Sequence, residues 1–449
     1  MQQQERSKML GSMPMGKLVP KVSVPIMISM MVQALYNVVD GIFVARYSAD
    51  ALTAVTLVFP IQMLMIAVGT GLGVGINSLV SRRLGAGQAE GARTAAKCGI
   101  FLETCGALMF CLFGVFFARP FIRLFTDDPA LQRMGGSYLT IVTVFSIGLL
   151  MSVVFERLMQ ATGNTMLSMT SQLAGALTNI ILDPIMIFVM DLGVAGAAWA
   201  TIIGQMVSMT LGITLNQKKN LELRIDMRGF KPDKSTVRGI LQVGLPSIVM
   251  QAITSVMNLL MNTILLSYGA VAINVMGVYS KLQSFVFMPV FGLSNGLVPI
   301  IGYNYGARNR QRVYSALKVA LIIALSIMTV GLLVFQLAPE TLLSLFEAGE
   351  ASELTVLGCK ALRTISLCFL MAAAGIMISV VFQAVGKGVY SLIMSLCRQL
   401  IVLVPSAWLL SRLGGLNAVW WAFPIAEAVS LCICLLLYRK INNDLLKKL

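Results

Sequence analysis

Shifted by about 221 residues, this chain lies over itself. Pro25 falls on Pro246, Asn37 on Asn258, Tyr47 on Tyr268, Gln62 on Gln283, and Gly71-Leu72 on Gly292-Leu293. Gly75 meets Gly296, Gly85-Ala86 meets Gly306-Ala307, and Leu124-Phe125 meets Leu345-Phe346. Near the ends of the halves, Pro184 meets Pro405, Gly193 meets Gly414 and Trp199 meets Trp420. Between them, Gln160-Ala161 and Gly163 match Gln383-Ala384 and Gly386 after a slip of about two residues, a small insertion later undone. Chance matches would scatter in offset, and these agree. A long internal repeat in an apolar chain implies a secondary transporter built from two pseudo-symmetric halves.

The chain is 57% hydrophobic and 12% charged, against about 45–50% and about 25% in soluble domains. No soluble core hides that much apolar surface, so lipid is the solvent for most of it. The first apolar run, 18–45, is too long for a signal segment and lacks a cleavage site, which makes it a retained span. Breaks at charged and Gly/Pro-rich stretches predict twelve transmembrane helices, roughly 18–45, 51–80, 94–118, 137–159, 167–190, 194–215, 239–266, 272–302, 313–337, 356–384, 391–411 and 417–438. The expected organisation is an N-terminal segment over 1–17, a six-helix lobe over 18–215, an inter-lobe loop over 216–238, a second six-helix lobe over 239–438, and a tail over 439–449. Six helices per repeat make the halves parallel.

Orientation follows from the basic residues. With the N-terminus inside, the inner segments collect most of the chain's 34 Lys and Arg, among them Arg6, Lys8, Arg82, Arg83 and seven between Lys218 and Arg238. The outer loop 338–353 carries Glu340, Glu347, Glu350 and Glu353 with no base. Both termini are therefore expected in the cytoplasm of a cell membrane. The net charge of +15 then reflects topology and anionic lipid, so the lipid bilayer and not nucleic acid is the expected partner. All eight Cys lie in or beside spans, out of reach of an oxidising compartment. With no His, no phosphate-binding glycine loop and no zinc spacing, ATP-driven pumping within the chain, enzymatic catalysis and a resident cofactor are not expected. The lack of an N-glycosylation sequon favours a bacterial source.

Ionisable side chains at mid-span cost roughly 2.5–3.5 kcal/mol on insertion scales and default to function. Asp40 lies about 9 Å below the outer end of the first span, and Asp183 about 10 Å below that of the fifth. Tyr36 and Asn37 stand one turn before Asp40, Asn179 one turn before Asp183, and Thr201 re-enters at the same depth. Pro184, without an N–H, frees the Ile180 carbonyl. These oxygens suit a hard monovalent cation such as Na⁺ bound at Asp40 and Asp183. They equally suit a proton, since burial and a like-charged neighbour both favour the neutral carboxyl. The bland alternative pairs Asp40 with Arg46 and leaves Asp183 a satisfied buried acid. In the repeat Asp40 faces Met261 and Asp183 faces Val404, so the acidic site has one copy.

Weaker signals remain. Lys281, near mid-depth, reads as lining a water-filled cavity. Arg398 and Glu427 are placed to pair, and Glu103 and Glu156 read as capped or solvated near the cytoplasmic ends. Gln62, Lys281, Gln283, Met257, Met261 and Met288 are the candidates for lining a substrate cleft between the halves, the methionines because their pliable side chains can re-pack around unlike ligands. Ordinary apolar filler is the competing reading.

The run Tyr36-Asn37-Val38-Val39-Asp40-Gly41-Ile42-Phe43 resembles the first-helix signature of multidrug and toxic compound extrusion (MATE) transporters. Asn179-Ile180-Ile181-Leu182-Asp183-Pro184 with Gly193-Val194-Ala195-Gly196-Ala197-Ala198, and Gly302-Tyr303-Asn304-Tyr305-Gly306-Ala307, resemble it too. The likeness runs from about Leu18 to Tyr438 and is greatest to the DinF-like branch, since spans 7 and 10 hold no Asp or Glu. It implies a V-shaped, twelve-helix, all-α membrane fold with two lobes around a cleft, and cation-site roles for Asp40, Asn179, Asp183 and Thr201. Gln160-Ala161-Thr162-Gly163 departs from the family's Arg-containing run.

The expected function is antiport: Na⁺ or H⁺ enters and small amphipathic organic cations leave, the transporter acting as a monomer. The alternatives are a flippase for a lipid-linked substrate and a non-transporting membrane scaffold or sensor.

Overall fold

The computed structural model describes residues 7–344 and 353–449. Arg6 of the basic set and Glu347 and Glu350 of the outer loop lie outside them, as does the side chain of Glu353. Among the described residues every regular element is a helix. Ten are long and apolar enough to cross a membrane, and two bent pairs raise the total to twelve spans. Lipid offers a backbone N–H or C=O no partner, and a helix satisfies both internally.

The spans are α1 (Met15–Tyr47), α2 (Ala49–Gly85), α3 (Ala89–Phe116), α4 (Pro129–Val144 and Ile147–Ala161), α5 (Thr165–Val189) and α6 (Gly193–Lys219) in one lobe. The second lobe holds α7 (Lys234–Leu266), α8 (Ala270–Gly306), α9 (Arg310–Leu337), α10 (Leu354–Ser366 and Phe369–Ala384), α11 (Gly388–Val419) and α12 (Ala422–Lys448). Most overrun the predicted spans, because hydropathy reports only the part of a helix in lipid while its hydrogen bonds continue into water. The predicted start of the last span at 417 is corrected: α11 runs on to Val419, past a break at Gly415 with φ 67°. α4 and α10 are each broken, by 43° and 46°, at points that hydropathy over 137–159 and 356–384 does not mark.

Polar residues open the helices. Ser48 Oγ accepts from the Ala51 N–H (2.9 Å) to open α2. Asp128 accepts from Ala130 (2.7 Å) with Pro129 in the first turn, as expected of an N-cap. After α2 and α8 the repeat places Gly87 and Arg308 at the same left-handed position, with φ 75° and 55°.

The lobes meet where the repeat predicts a symmetric contact. α2 packs along α7, and α1 along α8. A Cβ on Gly71 would stand 2.5 Å from Ile248 Cγ1, and one on Gly292 would stand 2.5 Å from Met27 Cα. Gly75 likewise meets the Ile240 carbonyl and the Gly244 backbone, Gly296 meets Ser23, Gly85 meets the Tyr303 carbonyl, and Gly306 meets the Arg82 carbonyl. Each contact and its repeat mate make one two-fold seal in the half of the molecule that carries both termini. Apolar burial gives no drive to associate in lipid, so such backbone-on-backbone packing of small residues holds helices together.

A short helix, Lys8–Ser12, lodges at the same end. The Asn304 amide and the Arg312 guanidinium donate to the Leu10 carbonyl (2.9 and 3.1 Å), and Arg312 also donates to that of Met13 (2.7 Å). The Ser7 N–H donates to Glu222 (3.1 Å). Farther toward the opposite face a cross-lobe bond runs from Gln251 to Thr70 (2.7 Å). Beyond it α7 exposes Ser255, Asn258 and Asn262.

Candidate functional site

One lobe gathers the acids. The first part of α1, through Leu18, Val19 and Val22, packs in the core of the second lobe, while its later part lies against α5. α1 thus bridges the lobes and carries Asp40 to α5. α5 and α6 cross at bare backbone: a Cβ on Gly204 would stand 2.7 Å from the Gly175 carbonyl and 3.1 Å from Asn179 Cβ. That crossing brings Asn179 beside Thr201.

With the Asn179 amide turned to satisfy both ends, its nitrogen donates to the Asp183 carboxylate (3.3 Å) and its oxygen accepts from the Thr201 N–H (3.2 Å). Asp183 is 0% exposed and Asn179 3%. The carboxyl groups of Asp40 and Asp183 lie within hydrogen-bonding reach of each other, and Asp40 Oδ1 is buried without a protein partner. Two carboxylates about 4 Å apart repel by about 4 kcal/mol at an effective dielectric of 20. Each oxygen only accepts, so a proton or a cation between them is what this geometry suits. Asp40 makes no ion pair with Arg46: among the described residues the recorded pairs are Arg93–Glu90 and Arg398–Glu427.

Tyr36 is in electrostatic contact with both carboxylates. So is Tyr138, on the first segment of α4, which the sequence reading did not select. The predicted span opens at 137 and sets Tyr138 at its outer edge, whereas α4 begins at Pro129 and carries Tyr138 about 14 Å inward at 1.5 Å per residue. The side chain of Asn37 lies outside the described residues. Immediately after Pro184 the helix widens into a π-turn, Ile185–Val189, a distortion common at functional sites.

The cleft candidates divide. Gln62 donates to Tyr138 Oη (3.1 Å) and so belongs to the acidic site instead. Met261 is wholly buried in the core of the second lobe, a correction: it fills space between helices and lines no cleft in this arrangement. Lys281 is exposed, and Gln283, Met257 and Met288 are half-buried. Glu103 and Glu156 are also corrected. Both are buried, Glu103 with neither carboxyl oxygen partnered, because neighbouring spans cover them well inside the helix ends. Arg398 and Glu427 do pair, at 3.4 Å, where α11 carries a second π-turn (Cys397–Val402).

Comparison with known proteins agrees with this architecture. The family model described as MatE matches residues 25–185 and 246–409, one copy in each lobe. The chain is 27% identical to the multidrug export protein MepA of Staphylococcus haemolyticus over 424 residues, covering 94% of this chain and 93% of that one. It is 26% identical to the Staphylococcus aureus protein of the same name, over 96% of this chain and 95% of that one. Among solved structures, it superposes with a TM-score of 0.92 and 28% identity, over 98% of both chains, on the outward-facing conformation of a multidrug resistance MATE family transporter. A MOP superfamily transporter from Pyrococcus furiosus, described as having a binding pocket of reversed polarity, superposes at 0.91 with 27% identity over 97% of this chain and 98% of that one.

Proposed function

Because the chain belongs to the MatE family of membrane transporters, we propose that it is a multidrug exporter that couples efflux of small amphipathic organic cations to entry of Na⁺ or H⁺. The observation that carries the coupling is the Asp40–Asp183 pair, buried with Asn179 and Thr201 in one lobe. It holds one positive charge more readily than none, and a bound substrate cation elsewhere in the cleft competes for the same conformational change. The face with both termini is the cytoplasmic one, consistent with its basic residues. The glycine seal at that end and the exposed polar face of α7 beyond it correspond to a state open to the outside. The protein works as a monomer in the cell membrane, each lobe supplying half of the seal.

The test is ethidium efflux from proteoliposomes, driven in turn by an imposed Na⁺ gradient and an imposed pH gradient, in wild type, Asp40→Asn and Asp183→Asn. Efflux that follows one gradient and is lost in both variants is the expected result. Efflux unchanged by the substitutions would overturn the site assignment. Absence of efflux under either gradient, with folded protein, would favour a lipid-linked substrate.

A further inference from the structure

From Thr165 to Asp183, one face of α5 carries no apolar side chain, and Ile187 closes it one turn later. Thr165, Ser168, Gln172, Gly175, Asn179 and Asp183 recur at helical spacing and span about 27 Å at 1.5 Å rise per residue. That is close to the thickness of the hydrocarbon core, about 30 Å. Five of the six are buried in the protein and Gln172 half so. Such a stripe is expensive in lipid and marks an ion or proton route.

Partners from the second segment of α4 meet it below the acidic site. Gln172 donates to Glu156 (3.3 Å), and Gln160 donates to Ser168 (3.1 Å) while accepting from Arg157 (3.0 Å). At the end of α4, Asn164 donates to Thr162 (3.1 Å) and to Asn220 (3.4 Å). Glu156 is 8% exposed, and among the described residues Arg157 is the charged group in electrostatic contact with it. α2, α5 and α6 bring no other charge to it, and Glu103 on α3 is out of that contact.

Between Asn179 and Gln172 the stripe is bare at Gly175. Gln205 Oε1, one turn from Thr201 on α6, is buried without a protein partner where α6 meets Gly148 of α4, and Arg157 Nε likewise where α4 meets Gly73 of α2. Unpaired buried polar atoms of this kind are what bridging water satisfies.

We propose that this seam is a proton relay inside the first lobe, carrying the coupling proton from Asp40/Asp183 to the terminal face by way of Glu156. Only O–H bonds change. The protonated carboxyl of the Asp pair gives its proton to water along Asn179, Gln205 and Gln172. Glu156 takes a proton up as a carboxylate and releases it at the turn formed by residues 160–164, and both acids return to their starting form. Arg157 balances the charge of the carboxylate between arrivals. The inference rests on the coupling reading above and selects the proton as its ion.

The experiment compares wild type, Glu156→Gln, Glu156→Asp, Asp40→Asn and Asp183→Asn in proteoliposomes, with ethidium binding to the purified proteins measured by fluorescence polarisation. Glu156→Gln is expected to slow pH-gradient-driven efflux by about tenfold or more, as befits loss of a positioned acid–base group. Its ethidium affinity should hold within about twofold, and Glu156→Asp should restore most of the rate. Normal efflux in Glu156→Gln beside inactive Asp variants would overturn the relay and leave the coupling reading standing. Loss of ethidium binding in Glu156→Gln would overturn it too, by making Glu156 a structural or substrate residue. Efflux driven by Na⁺ alone would refute the relay but not the coupling site, whereas normal efflux in the Asp variants would bring down both.

Discussion

The Tyr138 hydroxyl accepts from Gln62 and faces both carboxylates of the acidic site. Tyr138→Phe leaves the half-buried Gln62 amide without that partner, and a net hydrogen bond of this kind is worth about 0.5–1.5 kcal/mol. The variant is therefore expected to need up to roughly tenfold more coupling ion for half-maximal efflux, read from the dependence of rate on external ion. Thr201→Val should act in the same direction, since it removes the hydroxyl beside Asn179. Asp40, Asp183, Asn179 and Thr201 were legible in the sequence because charge in a span is costly and their depths agree. Tyr138 was not legible, since an aromatic hydroxyl in a span carries no such penalty and the apolar run that marks the span opens only at 137. Met261 was misread for a related reason: a methionine looks the same in a sequence whether it fills a core or lines a cavity.

Among the helices, the stops and starts make the sharpest predictions. Arg308 occupies the left-handed position that glycine holds at its repeat mate, Gly87. A residue with a Cβ pays about 1 kcal/mol there. Arg308→Gly is expected to gain about that much in stability, and Gly87→Ala to lose it, by unfolding in detergent. Asp233 caps α7 by accepting from the Ser235 and Thr236 N–H groups. The Thr236 hydroxyl first, and then those N–H groups, hold its carboxyl below the ordinary carboxylate range. A depressed acid stabilises the fold above its unfolded pKa and loses that contribution as pH falls through the folded one. The stability gap between wild type and Asp233→Ala should therefore be present at neutral pH and close in acid. The number and order of the spans were legible from hydropathy. The bends in α4 and α10 were not: no proline marks either break.

For the whole molecule, the repeat foretold the seal. Gly75→Leu and its mate Gly296→Leu each place a side chain where the other lobe's α7 or α1 already stands. Both are expected to hold the terminal face open and abolish turnover. In a background lacking the native cysteines, Ser78→Cys, at a site buried here, should become reactive from that face in either variant. A phenotype confined to one of the pair would contradict the two-fold reading. What the seal lacks also matters. Its glycine contacts are backbone against backbone, so acid, alkali or salt changes them little, and they give the two states no preference of their own that ions could tune. Converting a 1:99 population into 99:1 takes about 5.5 kcal/mol, while one charge crossing a 100 mV potential supplies about 2.3 kcal/mol. A door that needed chemical force to close would exhaust that supply. One that closes by shape and by hydrogen bonds to backbone carbonyls, as from Ser78 to Gln383 and from Arg82 to Val385, leaves the gradient free to decide which way the molecule faces.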